Sequence, residues 1–259
     1  MRPLGLYHEF ASAIDGAPCV QVFTGLRGQS HNPKTGPMIQ SWIMRADIAP
    51  HDALRTGDDT SVCGGCPLRP DNVRKAIAVA PPKTDKPPIC YVGVARAPLQ
   101  VWKTYRDGGY AQLDLRKAEH LTALLRLPLR LGAYGDPAAV PEQFWTFFWG
   151  MLEHFGAARW TAYTHQWRAA RFAYLKAWCM ASTDNEDGRA KAIAAGWRTF
   201  HLRRAAEEVH SDETICPASV EAGHKETCAT CLVCNGRVKN VVIIDHGPTN
   251  RKPPKKETT

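Results

Sequence analysis

Cysteine is the residue type through which this sequence could do chemistry, because seven of its nine cysteines fall into two groups. The C-terminal group is Cys216, Cys228, Cys231 and Cys234, and its last three members form a C-x2-C-x2-C motif. Four thiolates suit a tetrahedral Zn²⁺ or a [4Fe–4S] cluster equally well by number. We favour the cluster, because three cysteines in successive steps suit the widely spaced corners of a cube. Zinc is the alternative, with His224 able to replace one cysteine.

The upstream group consists of Cys63 and Cys66 in a CGGC turn, and Cys90 further along the chain. A closed structural site needs four ligands, whereas three cysteines leave one metal position open for chemistry. We therefore predict a functional upstream metal site and a structural C-terminal site. The alternatives are that Cys63 and Cys66 bind zinc with a histidine such as His31 or His51, or that they bind nothing.

Polar side chains follow several predicted strands, and they could add to a site built on the upstream cysteines. Asp136, His165 and Asp184 are the candidate catalytic residues, with His246 at the end of the last strand. His165 could act as a general base or as a metal ligand. Gly135 and Asp136 precede a proline, and we predict that they bind the polar end of a small ligand. The alternatives are helix caps for the two aspartates and a structural role for His165.

The elements that would position these residues alternate between strands and helices. Two strands, 19–24 and 40–45, precede a loop rich in proline and glycine at 61–89. Further strands are predicted at 90–94, 128–134, 159–163, 179–183, 197–202 and 238–245, with helices between most of them. This alternation predicts an α/β protein with a parallel sheet, which we interpret as a partial or complete TIM-like βα barrel. A cysteine-rich metal-binding loop is inserted near its C-terminus.

The same pattern divides the chain into three parts. Residues 1–89 hold the N-terminal strands and the cysteine- and proline-rich loop, and residues 90–247 form the βα core with its cysteine-rich loop at 216–234. Residues 248–259 are a basic tail that we expect to be disordered. Cys19 and Cys179 lie within predicted strands and are expected to be small buried hydrophobes.

Composition indicates the compartment and the class of partner. The chain has no apolar run of membrane-spanning length and no apolar N-terminal segment of a secretory signal, so we expect a cytoplasmic protein. Clustered cysteines in a reducing compartment more often bind metal than form disulfides. The formal net charge of +8 favours a polyanionic partner such as nucleic acid, although a soluble surface with a basic tail explains it equally well.

One predicted helix, QWRAARF (166–172), mixes aromatic and basic residues. Such a helix could stack bases and hold phosphates, or it could be an ordinary amphipathic helix. The aromatic segment FWTFFWG (144–150) is interpreted as a helix packed on the sheet.

The upstream cysteines, followed by a strand that ends in GAYGDPAAVP (132–141), resemble the layout of radical S-adenosylmethionine enzymes. That resemblance implies a three-cysteine [4Fe–4S] cluster whose open iron binds S-adenosylmethionine. Gly135, Asp136 and Pro137 would match the family's Gly-Gly-Glu-Pro-like motif, which contacts the methionine amine. The C-terminal cysteines would correspond to an auxiliary cluster. The spacing here is C-x2-C-x23-C, whereas that family has C-x3-C-x2-C.

A second resemblance covers more of the chain. The segments KTGPMIQSWIMRADIAPHDALRTGDDTSVCGGCPLR, CYVGVARAPLQVWKTY, LRLGAYGDPAAVP and WTAYTHQWR, with the final cysteine motif, are similar to an uncharacterised cysteine-rich family of bacteriophages and plasmids. This implies a mobile-element protein in the cytoplasm of a bacterial host. We predict a radical-SAM-like iron–sulfur protein that acts on nucleic acid or nucleotides. The alternative is a zinc-stapled, non-catalytic nucleic-acid-binding protein.

Overall fold

A ten-stranded mixed sheet forms the centre of the protein. The computed structural model describes residues 3–27, 32–70, 90, 92–203, 208–223 and 226–244. The strands are β1 (Gly5–Ala11), β2 (Pro18–Thr24), β3 (Ile39–Arg45), β4 (Ala111–Gln112), β5 (Leu129–Tyr134), β6 (Trp160–Thr164), β7 (Met180–Thr183), β8 (Thr199–Arg203), β9 (Glu213–Ile215) and β10 (Asn240–Ile244).

Helices connect most of these strands. They are α1 (Pro50–Thr56), α2 (Thr60–Cys63), α3 (Ala97–Arg106), α4 (Ala118–Leu125), α5 (Glu142–Phe155), α6 (Glu186–Ala194) and α7 (Cys228–Cys231). Three segments are 3-10 helical: Pro137–Ala139, Gln166–Arg168 and Ala170–Ala177. No helix in the described part of the chain has the length and apolar content needed to cross a membrane.

The sheet changes from antiparallel to parallel along its width. Its strand order is β4-β1-β2-β3-β5-β6-β7-β8-β10-β9. Strands β1, β2 and β3 form an antiparallel meander, and every pairing from β3 to β9 is parallel. The carboxyl ends of β5, β6 and β7 therefore lie at the same edge of the sheet, which is where ligand sites form in parallel α/β sheets.

The expected α/β class with a mainly parallel sheet is confirmed, but closure into a complete barrel is not observed. Within the described ranges β4 and β9 are the edge strands, and no pairing joins them. The antiparallel meander extends the sheet on one side, and the short strand β9 ends it on the other. The sheet is therefore open.

Most of the predicted strands and several helices are confirmed. Helix α5 begins after Pro141 and ends at Gly156, as the capping residues predict. Among the described residues of 90–94 there is no strand, because residues 92–94 form a bend and turn that leads into α3. The predicted helix over 113–127 is confined to α4, and the one after His165 is two 3-10 segments.

Two apolar clusters stabilise the sheet. In the larger cluster, Trp145 and Phe148 of α5 are fully buried, so the aromatic segment is core, as predicted. Cys19 and Cys179 are also fully buried in this cluster. The smaller cluster joins strands β7 and β10 to the cysteine-rich loop through Met180, Val241, Ile243, Cys216 and Cys234.

Candidate metal centres

Cys63, Cys66 and Cys90 converge in the structure, and we call them the upstream thiol site. Cys63 ends α2, the Cys66 amide donates to the Cys63 carbonyl at 3.1 Å, and the Cys90 amide donates to the Leu68 carbonyl at 3.0 Å. Burial raises the pKa of the Cys63 thiol well above its usual range, and the neighbouring Cys66, Asp59 and Cys90 raise it further. Three residues far apart in sequence thus come together at one place.

The sulfur of Cys90 has a backbone partner two residues along the chain. Burial raises the pKa of this thiol, whereas a hydrogen bond from the Val92 amide lowers it. An N–H group directed at a cysteine sulfur stabilises the thiolate, and such bonds tune iron–sulfur sites. Cys216 of the C-terminal group receives the same kind of bond from the Ala218 amide. One cysteine in each group thus has a backbone amide that favours its thiolate form.

Gln166 fixes the CGGC turn at the upstream thiol site. Its Oε1 accepts a hydrogen bond from the Gly65 amide at 3.0 Å, and its Nε2 donates to the Cys63 carbonyl at 2.9 Å. Gly64 has φ +51°, and a Cβ there would lie 2.5 Å from Gln166 Oε1. The turn therefore requires glycine at this position. Nearby, Arg69 and Asp59 form a buried two-pronged ion pair with N–O distances of 2.9 and 2.7 Å.

Four polar atoms at the carboxyl ends of β5, β6 and β7 are buried without a hydrogen-bond partner among the described residues. Thr183 Oγ1 is one, and the three that border the upstream thiol site are the Tyr134 hydroxyl, His165 Nε2 and Asp184 Oδ2. Burial raises the pKa of the Tyr134 hydroxyl far above its usual range, and Cys63, Asp59 and Cys90 raise it further. The Tyr134 side chain therefore lies beside the upstream thiol site.

His165 lies between that site and Asp184. Its Nε2 is 3.6 Å from Asp184 Oδ1. Burial lowers the pKa of His165, but interactions with Asp184 and Cys66 outweigh this effect and raise it to about 10. Of the predicted catalytic residues, His165 is therefore adjacent both to Asp184 and to Cys66.

Asp136 uses its carboxylate to hold the backbone of this edge. Oδ1 accepts from the Ala138 amide at 2.9 Å and Oδ2 accepts from the His165 amide at 2.8 Å, while the Asp136 amide donates to the Val62 carbonyl at 2.6 Å. Gly135 has φ +79°, and a Cβ there would lie 2.4 Å from the Ile43 carbonyl oxygen. The geometry gives both residues a structural role, so their predicted contact with a ligand stays a prediction.

The other histidines considered as ligands are not part of this arrangement. His31, His224 and His246 lie outside the described residues. His51 is on the exposed side of α1, with its Nε2 3.4 Å from Asp52 Oδ2.

Cys216, Cys228, Cys231 and Cys234 form the downstream thiol site. Cys216 follows β9, Cys228 and Cys231 are the first and last residues of α7, and the Cys234 carbonyl accepts from the Ala162 amide at 3.0 Å. Burial raises the pKa of the Cys234 thiol, and the other three cysteines raise it further. All four predicted ligands are therefore neighbours.

Donors and cations surround the downstream thiol site. The Tyr163 hydroxyl is hydrogen-bonded to the Cys234 sulfur and lowers its pKa. Burial raises the pKa of Cys228, whereas Arg130 and Lys34 lower it. Four thiolates with Zn²⁺ or with a doubly positive cluster carry two excess negative charges. Arg130 and Lys34 are placed to offset them.

Neither thiol site is arranged around a single metal ion in the described part of the chain. In the described part of the chain, no group of three or more histidine, cysteine, aspartate or glutamate side chains has the arrangement that holds one metal ion. Around one Zn²⁺ the sulfurs lie ~2.3 Å from the metal and hence about 4 Å from one another. Binding of one Zn²⁺ would therefore require the thiols to move into this spacing.

The sequence identified all seven clustered cysteines, but it gave no indication of several residues that support them. Gln166 joins the CGGC turn across a separation of about one hundred residues, and the sequence near either partner contains no signal of this contact. Lys34 and Arg130 also reach the downstream thiol site from distant elements. One local indication exists: Gln166 is a polar residue directly after His165, which is itself a candidate site residue.

Comparison with protein-family models, with curated proteins and with solved structures finds no match to this chain, so the two thiol sites and their surroundings carry the functional argument.

Proposed function

We propose that the protein is a metal-dependent enzyme with a [4Fe–4S] cluster at the upstream thiol site, similar in kind to radical S-adenosylmethionine enzymes. The observation that carries the proposal is the meeting of three thiols with three unpartnered buried polar atoms at the carboxyl edge of parallel strands. The open sheet is compatible with the partial barrel that the alternation of strands and helices predicts.

The unpartnered atoms argue for a missing occupant with polar groups. Each buried donor or acceptor without a partner costs about 1–3 kcal/mol, so the Tyr134 hydroxyl and Asp184 Oδ2 are costly unless a ligand satisfies them. The cost for His165 Nε2 is smaller, because Asp184 Oδ1 lies 3.6 Å away. The Tyr134 hydroxyl and His165 Nε2 can donate, and Asp184 Oδ2 can accept. A ligand that carries both an ammonium and a carboxylate group would satisfy all three, as the amino-acid end of S-adenosylmethionine does.

The chain's own residues would hold and orient these groups. Cys63, Cys66 and Cys90 would bind the cluster, and Gln166 would keep the CGGC turn in place. Asp136 fixes the backbone of His165 and so positions its ring beside Cys66. When bound, the cluster supplies an open iron position and an electron.

We assign the downstream thiol site a structural role. Four cysteines leave no ligand position open, and the loop packs into the smaller apolar cluster. In the alternative function, this site would hold a structural zinc ion that stabilises the fold of a non-catalytic nucleic-acid-binding protein. A phage or plasmid origin and a nucleic-acid or nucleotide substrate belong to the proposal on the strength of the resemblance and the net charge.

The test is metal analysis of anaerobically purified full-length protein. We expect a brown preparation with two clusters per chain, and S-adenosylmethionine binding measurable by calorimetry. The Cys63→Ala/Cys66→Ala/Cys90→Ala protein should retain one cluster and lose this binding, whereas the Cys19→Ala control should retain both. A colourless wild-type protein with stoichiometric zinc would support the alternative and overturn the proposal.

A further inference from the structure

Two arginines lie on buried aromatic rings directly after β6. The Arg168 guanidinium carbon is 4.0 Å from the centroid of the Trp167 ring, and that of Arg171 is 4.6 Å from the Phe172 ring. Both rings are buried, and the Trp167 indole donates to the Ser182 carbonyl at 2.9 Å. The rings therefore cannot stack on bases, and the exposed guanidinium groups occupy the outer side of this segment.

These two positive charges have no carboxylate within ion-pair distance among the described residues. The nearest acidic residues along α6 already have partners. Asp187 binds Lys191 at 2.7 Å, and Glu186 binds Arg189 at 3.3 Å. Arg171 donates from Nη2 to the Ile14 carbonyl at 3.3 Å, which leaves its charge uncompensated. An anion would supply the missing counter-charge.

Arg168 also lies near the strand ends that border the upstream thiol site. Arg168 is the third residue after His165, and its Nη2 is 3.1 Å from the position that a Cβ on Gly188 would occupy. Gly188 is in the first turn of α6, whose N-cap Asn185 follows Asp184. Glycine at this position lets the guanidinium approach the amino end of the helix, where backbone amides and the helix dipole favour negative charge.

We propose that Arg168 and Arg171 each bind a phosphate group of the substrate beside the upstream thiol site. The substrate is then a phosphate ester of a nucleoside, either a free nucleotide or a single-stranded nucleic acid. This inference adds a substrate group to the proposed function. It rests on that function, because the proposed function places the reaction next to these arginines. Planar guanidinium groups held on rings keep their geometry at little entropic cost, which suits two-pronged phosphate binding.

The experiment measures binding of two probes to full-length protein: a nucleoside triphosphate by calorimetry and a fluorescent single-stranded oligonucleotide by anisotropy. Arg168→Ala and Arg171→Ala should each weaken binding of the true ligand roughly tenfold. For a strand, each variant should also reduce the salt dependence of log K by about 0.7. Tighter binding of one probe identifies the source of the phosphate.

Arg159→Ala is the matched control, because Arg159 is an exposed arginine that precedes β6 at the opposite end of the strand. It should leave binding unchanged, and an equal loss in this variant would overturn the inference in favour of general attraction to a basic surface. Failure of wild-type protein to bind either probe would also overturn it. Metal analysis of the same samples separates the two proposals: binding without iron contradicts the proposed function alone, and iron without binding contradicts this inference alone.

Discussion

Tyr134 is the residue whose hydroxyl depends most directly on an occupant of the upstream thiol site. The hydroxyl is buried and without a partner among the described residues. We expect Tyr134→Phe to leave the thermal stability of metal-free protein unchanged or slightly higher, because the substitution removes an unsatisfied group. In metal-loaded protein it should cost about 1 kcal/mol and alter the visible spectrum of the cluster. Equal effects in both forms would show that the hydroxyl does not face the metal.

Asp136 is predicted to contribute to stability through both of its carboxylate oxygens. Asparagine keeps the shape but has one acceptor, so its NH₂ group would face the amide of Ala138 or of His165. Asp136→Asn should therefore lower the free energy of unfolding by about 1–3 kcal/mol, measured by urea denaturation. Asp187→Asn, an exposed change on α6, should stay within ~0.5 kcal/mol of wild type. Unchanged stability with lost ligand binding would instead support a ligand-binding role for Asp136.

At the scale of elements, the two thiol sites should respond differently to the loss of one cysteine. Cys231 lies in a loop that bonds to β6 and packs on β7 and β10, so Cys231→Ser should remove metal and much of the stability. A structural metal contributes on the order of 10 kcal/mol to folding. Cys66 lies in a turn near the carboxyl ends of the parallel strands. Cys66→Ala should therefore keep the fold, while the metal content falls by one site. Thermal melts and metal analysis of both variants check this, and equal unfolding would contradict the two roles.

Strand β1 and helix α5 meet at a pH-sensitive contact. The rings of His8 and Phe144 are stacked 3.7 Å apart, and His8 Nε2 is 2.8 Å from Gln21 Oε1 on β2. Burial lowers the pKa of His8 from 6.5 to about 4, although the bond to Gln21 raises it. Unfolded protein therefore takes up a proton between pH 6.5 and 4 that folded protein does not, and stability should fall as pH falls through this window.

The measurement is urea denaturation at a series of pH values. His8→Gln should flatten the decline between pH 6.5 and 4, whereas His154→Gln, at an exposed position on α5, should leave it as in wild type. A wild-type decline that persists in full in His8→Gln would assign it to other groups.

How far the sequence predicts an element depends on whether local pattern or a distant contact determines it. Strands β2, β3 and β5 to β8 follow from β-rich runs between turn residues, and α5 from its caps. The segment 90–94 has strand composition, but its Cys90 is held at the upstream thiol site, and no strand forms in its described part. Strand β1 is determined by its pairing with β2, for which its own residues give little signal. Gln166 was likewise not predicted as a support of the upstream thiol site, because its partners in the CGGC turn are distant in sequence.

At the scale of the whole molecule, two apolar clusters stabilise different parts of the open sheet. The larger apolar cluster extends from the antiparallel meander and α5 through the parallel strands β5, β6 and β7, whereas the smaller cluster joins β7 and β10 to the downstream thiol site. The α/β class and the mainly parallel sheet follow from the sequence, but closure into a complete barrel does not, because local alternation of strands and helices does not determine whether the first and last strands of a sheet meet.

The downstream thiol site also joins early and late parts of the chain. The Lys34 and Thr35 carbonyls accept hydrogen bonds from the Cys228 and Ala229 amides, at 3.1 and 2.9 Å. During synthesis, Lys34 and Thr35 leave the ribosome long before Cys228 and Ala229. The hydrogen bonds between them can therefore form only when synthesis is almost finished. Folding of the nascent chain is therefore completed late, and under the proposed function the metal supply at that moment would decide how many new molecules reach the native state before chaperones or proteases bind them.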